Sequence, residues 1–537
     1  MRKFYLFIFF ICSTYSFAQQ DAWLYFNDKP SSQLYLDSPL QMLSQRALDR
    51  RTNQSIALDN KDIPVETSYV NQIKATSGVS VLATSKWLNA IHVRGSQNAI
   101  NNLSMLPFVN KIDFADRTLN QAGKIAKAAK VKQENKTKKT KINYAYGSSS
   151  NQIVMLNGQA LHQANHTGDG KIIAIMDAGY PGVNTAPPFA KLRDNNKILG
   201  GYNFVARNSD IYSGNSHGTS VLSTMGGYKE NSLIGTAPDA SYYLFITEDN
   251  NAENPVEESL WVEAAEKADS LGVDIINTSL GYFDFDNKAY DHTYADMNGN
   301  TTFMSRGAEI AFSRGMIVVS SAGNSGGTSN PYINAPADAV SVISVGAVNA
   351  SKSRVSFSSI GPSSDSRIKP DVMAQGKSAV ISDANGNIVT ADGTSFSGPI
   401  MAGMVACLWQ AFPQKTNQEI RNLVLQSSDN FLTPNNTYGY GIPDFGLALG
   451  NQLYAESFSK DDFIIYPNPT SDIIMVSLPS KFEYGTLSIY SLIGQKILEQ
   501  KVTPASTSIS IKALEKGMYL YKMESKSFAK SGKIVKE

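Results

Sequence analysis

The stretch Asp392-Gly393-Thr394-Ser395-Phe396-Ser397-Gly398-Pro399 places a serine where a loop enters a long apolar run, Ile400-Met401-Ala402-Gly403-Met404-Val405-Ala406-Cys407-Leu408-Trp409. The run is rich in Ala, Met and Leu and long enough to be a buried helix. Ser395 then falls at a helix N-terminus, where backbone N–H groups lack partners and the dipole favours negative charge. A serine so placed can attack a carbonyl while its own N–H helps to hold the oxyanion. Gly393 and Gly398 let substrate and neighbouring backbone come close. Pro399 is tolerated so early in a helix because little N–H bonding is lost there. Read without chemistry, Ser395 simply caps a core helix.

A serine nucleophile needs a base, and the base needs an orienting group. Of the 5 His, His217 stands in a suggestive context, Asn215-Ser216-His217-Gly218-Thr219-Ser220, with a helix expected to begin there. The plain alternative is a structural histidine. His92 alternates with Ile91 and Val93 on a strand and is expected at the surface. His162 and His166 flank a glycine-containing turn and are expected at the surface too, and His292 falls in a polar loop. Asp177 ends the apolar strand Lys171–Met176, and the carboxyl end of a parallel strand is where α/β proteins build their sites; otherwise it is a turn Asp. Asn324, in Ser321-Ala322-Gly323-Asn324-Ser325, also ends an apolar strand and otherwise belongs to an Asn/Gly turn.

The elements that must position these residues lie in the middle of a 537-residue chain. From about 146 to 456 strands alternate with helices, which predicts a parallel sheet with helices on both faces. Strands are expected at 171–176, 241–245, 273–277, 316–321 and 342–346. Helices are expected at 217–225, 256–271 and 307–314. Residues 19–118 read as a small domain mixing helices and strands, with strands at 22–26, 79–83 and 90–95 and helices at 41–51, 66–76 and 97–106. Residues 119–145 form a linker rich in Lys and poor in large apolar residues, the signature of a solvated connection. Residues 462–537 carry short alternating runs that predict a β-sandwich without histidine. At the start, 1–18 has the charged, apolar and small-residue parts of a signal peptide, with cleavage after Ala18. Such a cut leaves Cys407 alone, so no internal disulfide is expected. The net charge of +1 gives no overall basic field for nucleic acid.

Taken together, Asp177, His217 and Ser395 follow the chain order of one known triad. Asp177-Ala178-Gly179, His217-Gly218-Thr219, Ala322-Gly323-Asn324 and Gly393-Thr394-Ser395 to Pro399 resemble the motifs of the subtilisin-like serine peptidases. Ser341-Val342-Ile343-Ser344-Val345-Gly346-Ala347 resembles that family as well, and the similarity covers about 160–450. Phe396-Ser397 stands where the family often has Met-Ala. The resemblance implies that Ser395 is the nucleophile, His217 the base, Asp177 its orienting carboxylate and Asn324 an oxyanion donor. It implies that Ser279-Leu280-Gly281, with Ala322 and Gly323, bind substrate backbone; Ser279–Gly281 is otherwise a strand-end turn. In the same way 19–118 resembles an inhibitory α+β pro-domain. Tyr466-Pro467-Asn468-Pro469-Thr470, Leu514-Glu515-Lys516-Gly517-Met518-Tyr519 and Lys533-Ile534-Val535-Lys536 resemble the C-terminal sorting domain of the type IX secretion system. The expectation is an endopeptidase acting on proteins or peptides, exported through periplasm and outer membrane by that machinery to the cell surface or beyond. The chemistry needs no cofactor. A structural calcium in the Asp-rich loop 282–303 stays open, as do a dedicated maturation peptidase with one substrate and an inactive binding protein on the same scaffold.

Overall fold

The computed structural model describes residues 19–120, 143–456 and, with short breaks, 464–536. The expected signal segment, most of the Lys-rich stretch, the join at 457–460 and Pro467–Pro469 of the sorting motif lie outside the described residues. Contacts divide the chain into two units, one through Asp444 and one from Phe445. No helix among the described residues is long and apolar enough to cross a membrane.

Besides two two-stranded ribbons, the described residues of the first unit form a four-stranded and a seven-stranded sheet. In the smaller one, β1 (Gln19–Phe26), β2 (Val79–Ser85), β3 (Ala90–Ser96) and β4 (Val109–Phe114) run antiparallel in the order β2-β3-β1-β4. Its helices include α1 (Gln45–Asn53) and α2 (Thr67–Lys74). The first of these starts later than the apolar spacing suggested, because Ser44 caps it by accepting from the Ala47 N–H. Alternate residues of β1 part company. Ala22, Leu24 and Phe26 join the small domain's own core, whereas Trp23 and Tyr25 pack against the larger domain. The central strand β1 is therefore buried on both faces.

That burial corrects the expectation for His92. It does point away from Ile91 and Val93, but the opposite face is covered, and His92 is only 1% exposed. Its Nδ1 meets Ser259 Oγ and its Nε2 meets Asp21 Oδ1, both at 2.8 Å. His162 is likewise buried, between the Thr236 carbonyl and the Tyr146 hydroxyl. His292 lies in a loop, as expected, but is buried there against Glu258.

The larger sheet comprises β5 (Ile172–Asp177), β6 (Ile198–Asn203), β7 (Ser241–Ile246), β8 (Ile275–Thr278), β9 (Ile317–Ser321), β10 (Ile343–Val348) and β11 (Val372–Gln375). All pairings are parallel, in the order β11-β10-β9-β8-β5-β7-β6. Every residue of β5 is buried, as a parallel strand covered on both faces requires. Ile172, Ala174 and Met176 pack with α4 (Val256–Leu271) and α5 (Phe303–Ser313), which follow α3 (His217–Gly226) in the chain. The other face receives α3 and α6 (Thr394–Ala411). α6 is apolar nearly all round and almost wholly buried, so it is the central helix. The chain places β6 and then β7 on one side of β5 and β8 to β11 on the other, so the strand order switches at β5 and β8, whose carboxyl ends are where such sheets bind ligands.

The second unit begins with the helix Phe445–Glu456. A three-stranded and a four-stranded antiparallel sheet follow and share one core of Ile474, Val476, Leu487, Ile489, Met523 and Ile534. This is the β-sandwich the alternating runs predicted.

Candidate active site

Ser395 is the second residue of α6, which begins at Thr394. Gly393 before it has φ 152° and ψ 151°, a region open only to glycine. Its N–H bonds the Gly376 carbonyl at 2.8 Å and anchors the turn. Pro399 lies in the helix interior, not in its first turn as the sequence suggested. Having no N–H, it leaves the Ser395 carbonyl without its usual i+4 donor. The Ser279 hydroxyl fills that role at 2.9 Å, and the Ser395 hydroxyl donates back to the Ser279 carbonyl at 3.2 Å. Among the described residues no hydrogen bond joins Ser395 Oγ to His217, but the His217 ring lies 6.0 Å from that of Phe396, the next residue.

His217 opens α3, and its Nδ1 lies 2.8 Å from Asp177 Oδ1 at the end of β5. A carboxylate only accepts, so Nδ1 carries the proton and Nε2 keeps a lone pair. Asp177 is fully buried, and its Oδ1 also accepts from the Ala178 N–H. The charge of Asp177 raises the pKa of His217 above the ordinary imidazole value, against the opposing effect of burial. Gly218 makes this approach feasible. A Cβ there would stand 2.6 Å from the Gly179 carbonyl oxygen and 2.7 Å from Tyr180 Cε1.

Asn324 follows β9, in line with Ala322 and Gly323. Its Oδ1 accepts from the Thr394 N–H at 2.9 Å and from the Thr394 hydroxyl at 3.0 Å. Both acceptor directions are thus used on one side, which fixes the amide and turns Nδ2 outward. The Gly323 N–H in turn reaches Thr394 Oγ1 at 3.3 Å, and the Ala322 N–H is tied to the Val345 carbonyl. Residues 279–281 run on beyond β8 with no strand beside them among the described residues.

The sequence reading passed over Glu248. It accepts from the buried Tyr282 hydroxyl at 2.6 Å, directly after Ser279–Gly281, and its charge acts on His217. Its ligand atom lies within 4.8 Å of those of Glu253 and Glu257. Burial pushes Glu248 up to about 8, and burial with the Glu248 charge pushes Glu257 up to about 9. The aspartates of loop 282–303 do not gather in this way. Asp291 accepts from the Phe285 N–H, and Asp296 is engaged by Thr293 and Arg117.

Residues 168–441 match the description of the subtilase family. The chain belongs to that family. Subtilisin NAT of Bacillus subtilis subsp. natto is 31% identical over 293 residues, covering 54% of this chain and 68% of that protein. Subtilisin DY of Bacillus licheniformis is 29% identical over 292 residues, 54% of this chain and 94% of that one. A solved structure, MycP1 with its N-terminal propeptide removed, is 22% identical over 56% of this chain and 96% of its own, with a TM-score of 0.45. Residues 21–137 of the subtilase match a peptidase S8 propeptide domain of Bacteroidota, and 464–537 match a secretion system C-terminal sorting domain. The subtilase is therefore a serine endopeptidase with a propeptide and a sorting domain, destined for secretion or the cell surface.

Proposed function

We propose that this subtilase hydrolyses peptide bonds of protein substrates through an acyl-enzyme on Ser395. The observation that carries the reading is the 2.8 Å bond from His217 Nδ1 to Asp177, which leaves Nε2 as a base beside the first turn of α6, where Ser395 lies. Ser395 Oγ turns from the Ser279 carbonyl to His217 and attacks the substrate carbonyl. The Oγ–C bond forms as the hydroxyl proton passes to Nε2. Negative charge on the carbonyl oxygen is met by the Ser395 N–H and Asn324 Nδ2. The imidazolium, stabilised by Asp177, gives its proton to the leaving amine as the C–N bond breaks. Water then repeats the sequence on the ester and restores Ser395. Residues 279–281, which have no strand beside them among the described residues, offer backbone groups to an extended substrate, whereas both N–H groups of 322–323 and the Gly323 carbonyl are already bonded within the protein, so that segment lines the cleft without pairing through them.

In this reading the propeptide acts as an intramolecular inhibitor, and the sorting domain engages the type IX export machinery. A fluorophosphonate serine probe tests the catalytic assignment. The enzyme freed of its propeptide is expected to be labelled once per chain, and Ser395→Ala to lose both labelling and hydrolysis with unchanged unfolding temperature. Undiminished hydrolysis by purified Ser395→Ala refutes the assignment. A peptide-library cleavage profile separates a broad endopeptidase from one dedicated to a single substrate.

A further inference from the structure

Asn334 lies in the loop between β9 and β10, and the backbone on both sides of it is held. The Ile333 N–H bonds the Ile360 carbonyl at 3.0 Å, and Ala335 exchanges two hydrogen bonds with Tyr282, the residue after Ser279–Gly281. The Ser359 N–H bonds the Gly323 carbonyl at 2.9 Å. The Asn334 carboxamide is thereby set between the two segments that border the cleft. A Cβ on Gly281 would stand 2.6 Å from Asn334 Oδ1, and a Cβ on Gly323 would stand 3.1 Å from the same atom and 2.8 Å from Ser359 Oγ. The amide fits there because both flanking positions are glycine.

Asn334 Oδ1 is buried and has no hydrogen-bond partner among the described residues. An acceptor left in that state costs stability, and so calls for a ligand or a function. The residue as a whole is only half-buried, so its side chain is not sealed in the core. A substrate laid along 279–281, with a carbonyl held at the Ser395 N–H and Asn324 Nδ2, sends the side chain of that same residue into the gap between Gly281 and Gly323. There it meets the Asn334 amide.

We propose that Asn334 is a specificity residue that selects a carboxamide side chain, glutamine or asparagine, on the residue whose carbonyl is attacked. The proposal rests on the Ser395 reading given above and narrows its substrate class. A substrate carboxamide can donate to Oδ1 and accept from Nδ2 as one two-bond pair. The pair is the same if the two ends of the Asn334 amide are exchanged. A lysine or arginine offers donors only, and Asn334 and Ser359 are neutral, so a cation would gain no counter-charge from them. An apolar side chain of similar length would leave Oδ1 buried without a donor.

The test compares peptides that differ only at that residue, using the secreted, processed enzyme and rates per site labelled by the fluorophosphonate probe. Gln is expected to exceed Met, its apolar counterpart, by about 10–100-fold in kcat/KM, and Asn to exceed Leu likewise. Lys is expected to fall below Gln. Asn334→Leu, which keeps the size but no polar atom, is expected to reverse the order of Gln and Met. Equal or faster cleavage of the Met or Lys peptide by the parent enzyme overturns the proposal, as does an undiminished Gln preference in Asn334→Leu. Should that variant not fold, Asn334→Asp, which accepts but cannot donate, is expected to move the preference from Gln to Lys, and an unchanged Gln preference there overturns the proposal equally. Ser395-dependent hydrolysis without a carboxamide preference removes this proposal alone. Hydrolysis that persists in purified Ser395→Ala removes the reading beneath it, and both fall.

Discussion

Replacing Gly218 by Ala sets two effects of opposite sign against each other. Ala favours a helix over Gly by up to about 1 kcal/mol, so with room available the variant would be more stable. Room is lacking. The new methyl would stand 2.6 Å from the Gly179 oxygen, 2.7 Å from Tyr180 Cε1 and 3.0 Å from Asp177 Cβ. Carbon atoms rest at about 3.5 Å, so something must retreat by about 0.8 Å. Tyr180 cannot, because it is fully buried and its hydroxyl is bonded to the carbonyls of Ile175 and Phe245. The start of α3 must move instead, and His217 moves with it. The Asp177–His217 contact of 2.8 Å then opens to about 3.6 Å, which is no longer a hydrogen bond. Overpacking of this kind costs about 1–3 kcal/mol, and a misplacement near 1 Å costs about a hundredfold in rate. The expected outcome for Gly218→Ala is a kcat about 10²-fold lower per titrated site and a lower unfolding temperature. Counting sites with the fluorophosphonate probe separates slow chemistry from a misfolded fraction. A variant with wild-type kcat and a raised unfolding temperature would refute the argument that close packing of α3 on β5 sets the base.

Asn324→Ala is expected to lower kcat by about 10²–10³ with little change in KM, a figure that comes from a subtilisin; steady-state kinetics showing an effect confined to KM would contradict the oxyanion role. His217 must be neutral to act as a base, and Asp177 raises its pKa; activity should therefore be lost as pH falls through a value above the usual imidazole range of about 6.5. In Asp177→Asn the acid limb of the kcat/KM profile should move to lower pH while kcat falls by about 10⁴; an unmoved limb assigns it to another group. The secreted enzyme is expected to begin between about 120 and 150 and to end near 455–465, because Lys-rich and polar joins outside packed domains are the sites that peptidases reach. Sequencing both termini checks this, and a secreted, active species retaining both ends refutes it.

Strands buried on both faces, such as Ile172–Met176 and Ile317–Val319, were legible as unbroken apolar runs, and half-exposed ones such as Val79–Ala83 as short β-rich runs. β6 was not legible because Gly200 and Gly201 interrupt it; a Cβ on Gly201 would meet the Leu244 carbonyl oxygen at 1.8 Å. β11 was hidden by Pro370 just before it and by its length of four residues. α5 begins at Phe303 rather than 307 because Thr302 caps it, accepting from the Ser305 N–H at 3.1 Å, a signal that carries no hydrophobic period. Asp177, His217, Asn324 and Ser395 could be picked out because each sits where an element ends or begins, and ends are marked by Gly, Asn and Pro. The misread histidines have a different cause. A period-two pattern says which way His92 points but not what covers that face, and the cover comes from α4, more than 150 residues later in the chain. Glu248 was illegible for the same reason: its partner Tyr282 is brought to it by the sheet order, not by the sequence.

Pro399 shows how a local irregularity becomes part of a site. A proline inside α6 removes one helical hydrogen bond, and the freed acceptor is the carbonyl of Ser395, the proposed nucleophile. An unpaired buried carbonyl would cost about 1–3 kcal/mol, so a donor from outside the helix is required. Ser279 supplies it, and with Asn277 Nδ2 reaching Ser279 Oγ at 3.3 Å the link continues into β8. Ser395 is thereby bonded from both its carbonyl and its hydroxyl to one residue of the segment read as holding substrate backbone. Thr394, one position earlier, makes the equivalent link to Asn324 beyond β9. Two adjacent residues in the first turn of a single helix thus tie Ser395, Asn324 and Ser279 to one another, the three positions to which the proposed mechanism gives the nucleophile, the oxyanion donor and the substrate edge. The carboxyl ends of β8 and β9 can be held in register by α6 because its first turn carries side-chain acceptors and donors where an ordinary helix would carry backbone ones.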